Sequence, residues 1–242
     1  MIVLSICSTK HSPGATTLAT ALMCAWHSDP NLPGSDVLVE ADPVGGDLAP
    51  RLGFAVEPGL VSLAASARHG DGPIDVRAHA QPLPAGGRVV LAPTDPVRSS
   101  GAVSVLADRL SSALRSEVDR AVIDVGRWWP QAPTTPLLTR SDVVIVVARP
   151  DLAGIEHARN AVDAIAEISD ALIGVALVGD RPYGPNDLVG VAPTRFSAAL
   201  PIDRRAAVGL HVGPSQRLRR SPLVRAARSL TEQIAEASGV PA

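Results

Sequence analysis

Lysine is nearly missing from this chain: of 22 basic residues only Lys10 is a lysine, and the other 21 are arginine. Cysteine is as scarce. Cys7 and Cys24 both sit in apolar runs, which excludes a disulfide framework and a Cys/His metal cluster and marks them as small buried side chains in a reducing compartment. Aromatic residues make up 2%, and Phe54, Tyr183 and Phe196 are too isolated for a base-stacking platform. No apolar run is long enough to cross a membrane, and the opening MIVLSICSTK has neither a basic n-region nor a cleavage site. The expectation is a cytoplasmic protein. The formal net charge of −2 supplies no global basic field, so a nucleic acid or membrane partner would need a local patch.

What is present is apolar substance. The 242 residues are 46% hydrophobic and 19% charged, enough for one sizeable core and incompatible with a disordered or collagen-like chain. Short apolar runs predict strands at Ile2–Cys7, Asp36–Glu40, Arg88–Ala92, Ala121–Asp124, Asp142–Ala148, Leu172–Val178 and Arg195–Leu200. Between them, helical spacing predicts helices over Thr16–His27, Leu60–Arg68, Gly101–Arg115, Asp151–Ile168 and Pro222–Ala237. Gln81–Gly87 reads as a loop. The alternation describes βαβ units: an α/β fold, doubly wound, with a mainly parallel sheet and helices on both faces. With no internal repeat and no long linker, residues 1–242 are expected to form a single domain.

In an open parallel sheet, ligands bind beyond the carboxyl ends of the strands. The first such turn reads Ser8-Thr9-Lys10-His11-Ser12-Pro13-Gly14-Ala15-Thr16-Thr17. Placed between a buried strand and a helix, it can offer backbone N–H groups and a helix N-terminus to an anion. Thr16 and Thr17 fall on the first helical turn, where a hydroxyl can hold a phosphate-bound Mg²⁺.

This loop resembles the deviant Walker A of the ParA/MinD family of P-loop ATPases, Lys-Gly-Gly-x-Gly-Lys-Thr-Thr. Lys10 matches the family's signature lysine, which in relatives reaches across a dimer to the partner's nucleotide. Gly14 matches the last glycine and Thr16 the Mg²⁺-binding hydroxyl. His11 and Ser12 replace two glycines, and Ala15 replaces the P-loop lysine. Losing that charge-assisted hydrogen bond costs roughly 1.5–3 kcal/mol, or about one to two decades of affinity. Two further segments match in order. Val37–Pro43 is similar to the family's Asp-x-Asp-Pro motif, with Glu40 in place of the first Asp and Asp42 on the residue that positions the attacking water. Ala121–Gly126 is similar to Walker B, with Asp124 holding the Mg²⁺ shell.

The resemblance implies ATP and Mg²⁺ as cofactors. It implies nucleotide contacts at Lys10, Ser12, Pro13, Gly14, Ala15, Thr16 and Thr17, and at Pro201, whose loop in relatives helps to hold adenine. It places metal contacts on Thr16, Asp42 and Asp124, and catalytic roles on Lys10 and Asp42. Gly179 stands where relatives often have an adenine-contacting Asn. Two functions stay open. One is a dimeric ATP-dependent switch that positions DNA or a polar or secretion assembly, with weak or absent hydrolysis. The other is a pseudo-ATPase scaffold for a pilus, secretion or partition machine, of the TadZ/CpaE type.

Arg217, Arg219, Arg220, Arg225 and Arg228 crowd the start of the terminal helix, where Ser221 as N-cap and Pro222 mark its beginning. Positive charge opposes the macrodipole there unless an anion is near. A DNA backbone, an acidic partner, a membrane, or plain solvation offset by Glu232 and Glu236 are the readings. The helix lacks interfacial aromatics, so membrane targeting is the weakest of them. Trp128 and Trp129 follow the Walker B-like strand and read equally as core or as interface anchors.

Overall fold

Seven of the eight strands run parallel, and the order in which they lie decides where chemistry can occur. The computed structural model describes residues 1–10, 13–27, 35–68, 72–179, 181–188, 193–213 and 215–239. Along the chain come β1 (Ile2–Ser8), α1 (Ala15–Trp26), β2 (Asp36–Glu40), α2 (Leu48–Leu52) and α3 (Leu60–Arg68). Next are β3 (Gln81–Pro82), β4 (Arg88–Val90), α4 (Pro96–Leu106), α5 (Leu110–Glu117), β5 (Arg120–Arg127) and α6 (Thr135–Thr139). The last third holds β6 (Val143–Ala148), α7 (Leu152–Ala166), β7 (Leu172–Val178), β8 (Phe196–Leu200), α8 (Arg204–Val212), α9 (Gln216–Arg219) and α10 (Pro222–Ser238).

The sheet order is β3-β4-β2-β5-β1-β6-β7-β8. β1 sits between β5 and β6, with Leu4 opposite both Val122 and Val143. From β1 the chain crosses β5 to reach β2, and β6 carries it to the opposite side; this is the switch point at which open α/β sheets bind ligands. Residues of β1 alternate between two cores, as strand pleating requires. Val3 and Cys7 join the layer of α3–α7, whereas Leu4 and Ile6 join that of α1, α2, α8 and α10. Helices cover both faces of the sheet.

Two expected elements are corrected. The single helix over Gly101–Arg115 is two, α4 and α5. α4 starts earlier, at Pro96, because the Asp95 carboxylate accepts a hydrogen bond from Arg98 N–H at 2.9 Å and Pro96 takes the first turn. The chain then turns at 107–109, where the Arg109 guanidinium donates to the carbonyls of Ala67 (2.9 Å) and Gly72 (2.8 Å). Part of the Gln81–Gly87 loop is β3, a two-residue antiparallel edge strand on β4, where Pro82 is tolerated.

Candidate functional site

Gly14 opens the site. It caps α1 at φ +116°, a backbone conformation that side-chain-bearing residues rarely adopt, and its carbonyl accepts from Leu18 N–H at 2.9 Å. α1 has no side-chain cap and no acidic residue in its first turn, so its positive end is left open toward the switch point. Pro13 is buried, Ala15 is buried as a bare methyl, and Thr16 and Thr17 are half-buried. Lys10 is exposed and lines a cleft of about 90 Å³ with Thr9, Arg149, Asp151, Gly154 and His157 beside the start of α7. Ser12, with His11, lies outside the described residues.

Three carboxylates gather where β2 ends beside the second half of β5. Asp124 is fully buried; one oxygen accepts from Gly126 N–H at 3.1 Å and Oδ2 has no hydrogen-bond partner among the described residues. Burial pushes its carboxyl upward, while the Thr16 side chain beside it and the Gly126 N–H pull the other way. Glu40 is the register neighbour of Asp124. Its carboxylate accepts from the N–H groups of Asp47 (2.6 Å), Leu48 (2.8 Å) and Ala92 (3.1 Å), so it fastens the start of α2 to the end of β4. Burial lifts Glu40 to about 7 against those hydrogen bonds. Asp42 is half-buried, accepts from Val44 N–H at 2.8 Å, and is lifted to about 6 by burial, with Asp124 adding to the rise. Its carboxylate lies against Gly126, where any Cβ would land 2.0 Å from Asp42 Oδ2.

A buried carboxylate oxygen without a partner, next to a hydroxyl and an open helix N-terminus, suits a divalent cation. Mg²⁺ usually takes one or two carboxylates with waters and substrate phosphates, not an all-protein cage. No group of three or more His, Cys, Asp and Glu side chains forms a metal cage among the described residues, and Thr16 with Asp124 fits the sparser arrangement.

Across α1 from these carboxylates lies an apolar pocket of about 140 Å³, walled by Gly14, Thr17, Val178, Leu200, Pro201 and Ile202. Pro201 therefore shares a cavity with the first loop. Gly179 has a backbone reason to be glycine: φ is +115°, its N–H donates to Leu200 O at 2.8 Å, and a Cβ would come 3.0 Å from Pro150.

The arginines divide. Arg217 and Arg220, with Arg205 of α8, line an open cleft of about 770 Å³ between α8 and the start of α10. Arg217 and Arg219 belong to α9, a separate helix that precedes the terminal one. Arg225 and Arg228 lie on α10, outside that lining. None of these six arginines is in an ion pair among the described residues. The terminal helix itself begins as expected, with Ser221 Oγ accepting from Val224 N–H at 3.3 Å. No helix among the described residues is long and apolar enough to cross a membrane.

Sequence reasoning did not single out Asp47, Arg51 or Arg205. Asp47 and Arg51 are ordinary surface types whose place depends on the short helix α2, and Arg205 joins its cleft only through the packing of α8. The paired tryptophans separate. Trp128 is buried, donating Nε1–H to Thr135 Oγ1 at 3.2 Å, whereas Trp129 is 41% exposed.

The fold is that of the ParA/MinD-like P-loop NTPases. The chain is similar to the septum site-determining protein MinD of Pyrococcus horikoshii, complexed with Mg-ADP, at TM-score 0.76 and 20% identity over 98% of this chain and 97% of that one. It is similar also to a ParA family ATPase of Chlorobium tepidum, at TM-score 0.75 and 17% identity over 96% and 97%. A third likeness is to a variant of Cyanothece McdA in complex with ATP, at TM-score 0.68 and 17% identity over 100% and 98%. No protein-family model and no curated protein matches the chain.

Proposed function

We propose that this chain is a ParA/MinD-like nucleotide-dependent switch, one domain over residues 1–242, that binds ATP with Mg²⁺ and positions DNA or a polar or secretion assembly in the cytoplasm. The observation that carries the reading is Asp124: a buried carboxylate with one oxygen lacking a hydrogen-bond partner among the described residues, inside the central strand β5 and beside Thr16 and the open start of α1. Thr16 and Asp124 would hold Mg²⁺, which when bound offsets phosphate charge. Backbone N–H groups of Gly14, Ala15, Thr16 and Thr17 face the phosphates, the Pro201 pocket takes the base, and Asp42 orients water. Lys10, exposed at the rim, serves a second copy of the chain in a face-to-face homodimer. Hydrolysis is slow or absent, because Ala15 brings no cation to the phosphates. That same residue favours a second reading, a pseudo-ATPase scaffold for a protein partner of a partition or secretion machine. The arginine cleft is the surface for DNA phosphates or another anion.

Equilibrium binding of ATP and ADP with Mg²⁺, measured together with oligomeric state, tests the switch. Micromolar ATP binding that drives dimerisation in the native chain, and binding without dimerisation in Lys10→Ala, is the expected result. No binding at millimolar nucleotide would leave only the scaffold. Salt-sensitive DNA binding that survives Arg217→Ala with Arg220→Ala discards the cleft as its site.

A further inference from the structure

The first loop carries the uncharged Ala15 at the position where P-loops place a phosphate-binding cation. In P-loops a lysine at the position of Ala15 reaches the β- and γ-phosphates. Lys10 is drawn aside, into the cleft beside α7. A different cation is carried to this edge of the sheet by α2, and its role rests on the nucleotide reading proposed for this chain.

α2 is fixed firmly for so short an element. The N–H groups of Asp47 and Leu48 donate to Glu40 Oε1 at 2.6 and 2.8 Å, and Glu40 is paired in register with Asp124 on the adjacent strand. The helix therefore starts one strand away from the carboxylate assigned to the metal. One turn later, the Arg51 guanidinium donates to the Asp47 carboxylate. The charge of Asp47 acts on Asp42 and Asp124, and that of Arg51 on Asp124 and on His211 at the end of α8, so the pair stands within electrostatic reach of two of the three carboxylates. α2 also packs against α8, whose first turn walls the apolar pocket and whose last turn carries His211 within reach of the Arg51 charge. A guanidinium has five N–H donors in a planar fork suited to phosphate oxygens. Arg51 is exposed, and Asp47 is its one hydrogen-bond partner among the described residues.

We infer that Arg51 takes the place of the absent P-loop lysine, binding the β- and γ-phosphates of a nucleoside triphosphate while Asp47 aims its guanidinium. The phosphate-binding cation has moved from the loop after β1 to the helix after β2. The metal site and the base pocket keep their places.

The test is a titration of ATP, ADP and AMP with Mg²⁺ into the native chain, Arg51→Ala, Arg51→Gln and the double variant Arg51→Ala with Ala15→Lys. Arg51→Ala is expected to weaken ATP binding by roughly ten- to a hundredfold, the loss of one charge-assisted hydrogen bond, and to leave AMP binding unchanged. Ala15→Lys is expected to restore much of the lost ATP affinity. Arg51→Gln keeps the bulk of the side chain and should show the same selective loss; it stands in if the alanine variant does not fold. Unchanged ATP affinity in a folded variant overturns the inference, as does equal weakening of ATP and AMP or a lysine at position 15 that rescues nothing. If the native chain binds no nucleotide, the nucleotide reading falls and this inference with it; if the native chain binds and Arg51→Ala binds equally well, only the inference falls.

Discussion

Where the strands begin, Asp36 is buried and Arg120 grips it with two hydrogen bonds of 2.7 Å, while His27 approaches at 3.5 Å. The same guanidinium stacks 5.1 Å above the Trp26 ring. Nearby, Arg115 holds both oxygens of Asp142 at 2.8 and 2.9 Å, and Val3 N–H adds a bond of 2.7 Å. Where the strands end, Asp124, Glu40 and Asp42 sit close together with no ion pair among the described residues, and burial raises all three. One end of the sheet satisfies its acids internally. The other leaves Asp124 Oδ2 without a hydrogen-bond partner among the described residues, while Glu40 beside it is held by three backbone N–H groups; under the proposed function the free oxygen is the one a cation would take.

The largest effect should come from breaking the satisfied end. Arg120→Ala leaves Asp36 charged and buried, and removing one partner of a buried pair costs about 3–5 kcal/mol. Urea unfolding should show that loss; a change below about 1 kcal/mol would mean that the two ends are not so different. At the other end, Asp124→Asn removes a carboxylate that forms no ion pair among the described residues. Its stability without metal should be no more than about 1 kcal/mol below the native value, while Mg²⁺-dependent nucleotide binding disappears. A large loss of stability there would make Asp124 a structural residue instead.

The smallest effect is a slope. Glu40 goes from 4.5 to about 7 on folding, so over that range the folded chain holds a proton that the unfolded chain releases. Stability without divalent cations should therefore fall as pH rises from about 4.5 to 7, and Asp42 acts in the same sense up to about 6. Urea midpoints across that range should decline in the native chain and decline less in Glu40→Gln. Equal slopes would remove Glu40 from the comparison.

The seven parallel strands are plain in the sequence as short apolar runs, and their ends fall within a residue or two of expectation except in β5, which runs to Arg127; the two-residue, partly exposed β3 has no such run and reads as loop. The helix over 101–115 looks continuous because nothing between Leu106 and Leu110 breaks a helix locally. The break follows from where Arg109 finds its carbonyls, a tertiary fact. Asp95-Pro96 is a local start signal that helical spacing alone passes over. At the site, Gly14 and Thr16 stand where α1 starts, whereas Asp42, two residues past β2, and Asp124, inside β5, are legible only through the resemblance of their segments to the family's motifs. Glu40 is visible as a departure from Asp, but that its longer arm reaches Ala92 N–H cannot be read from one strand. Asp47 and Arg51 stay hidden because a five-residue helix carries too little periodicity to show its faces.

The three tryptophans give the chain its own optical reporter. Trp26 and Trp128 are buried, and Trp129 alone reaches solvent, on the turn after β5 whose neighbour Trp128 donates its N–H to Ser8 O at 2.8 Å. Red-shifted emission and iodide quenching should thus belong mainly to Trp129, a few residues from Asp124. A second copy closing over that edge would blue-shift the spectrum and shield it from the quencher, with no label attached.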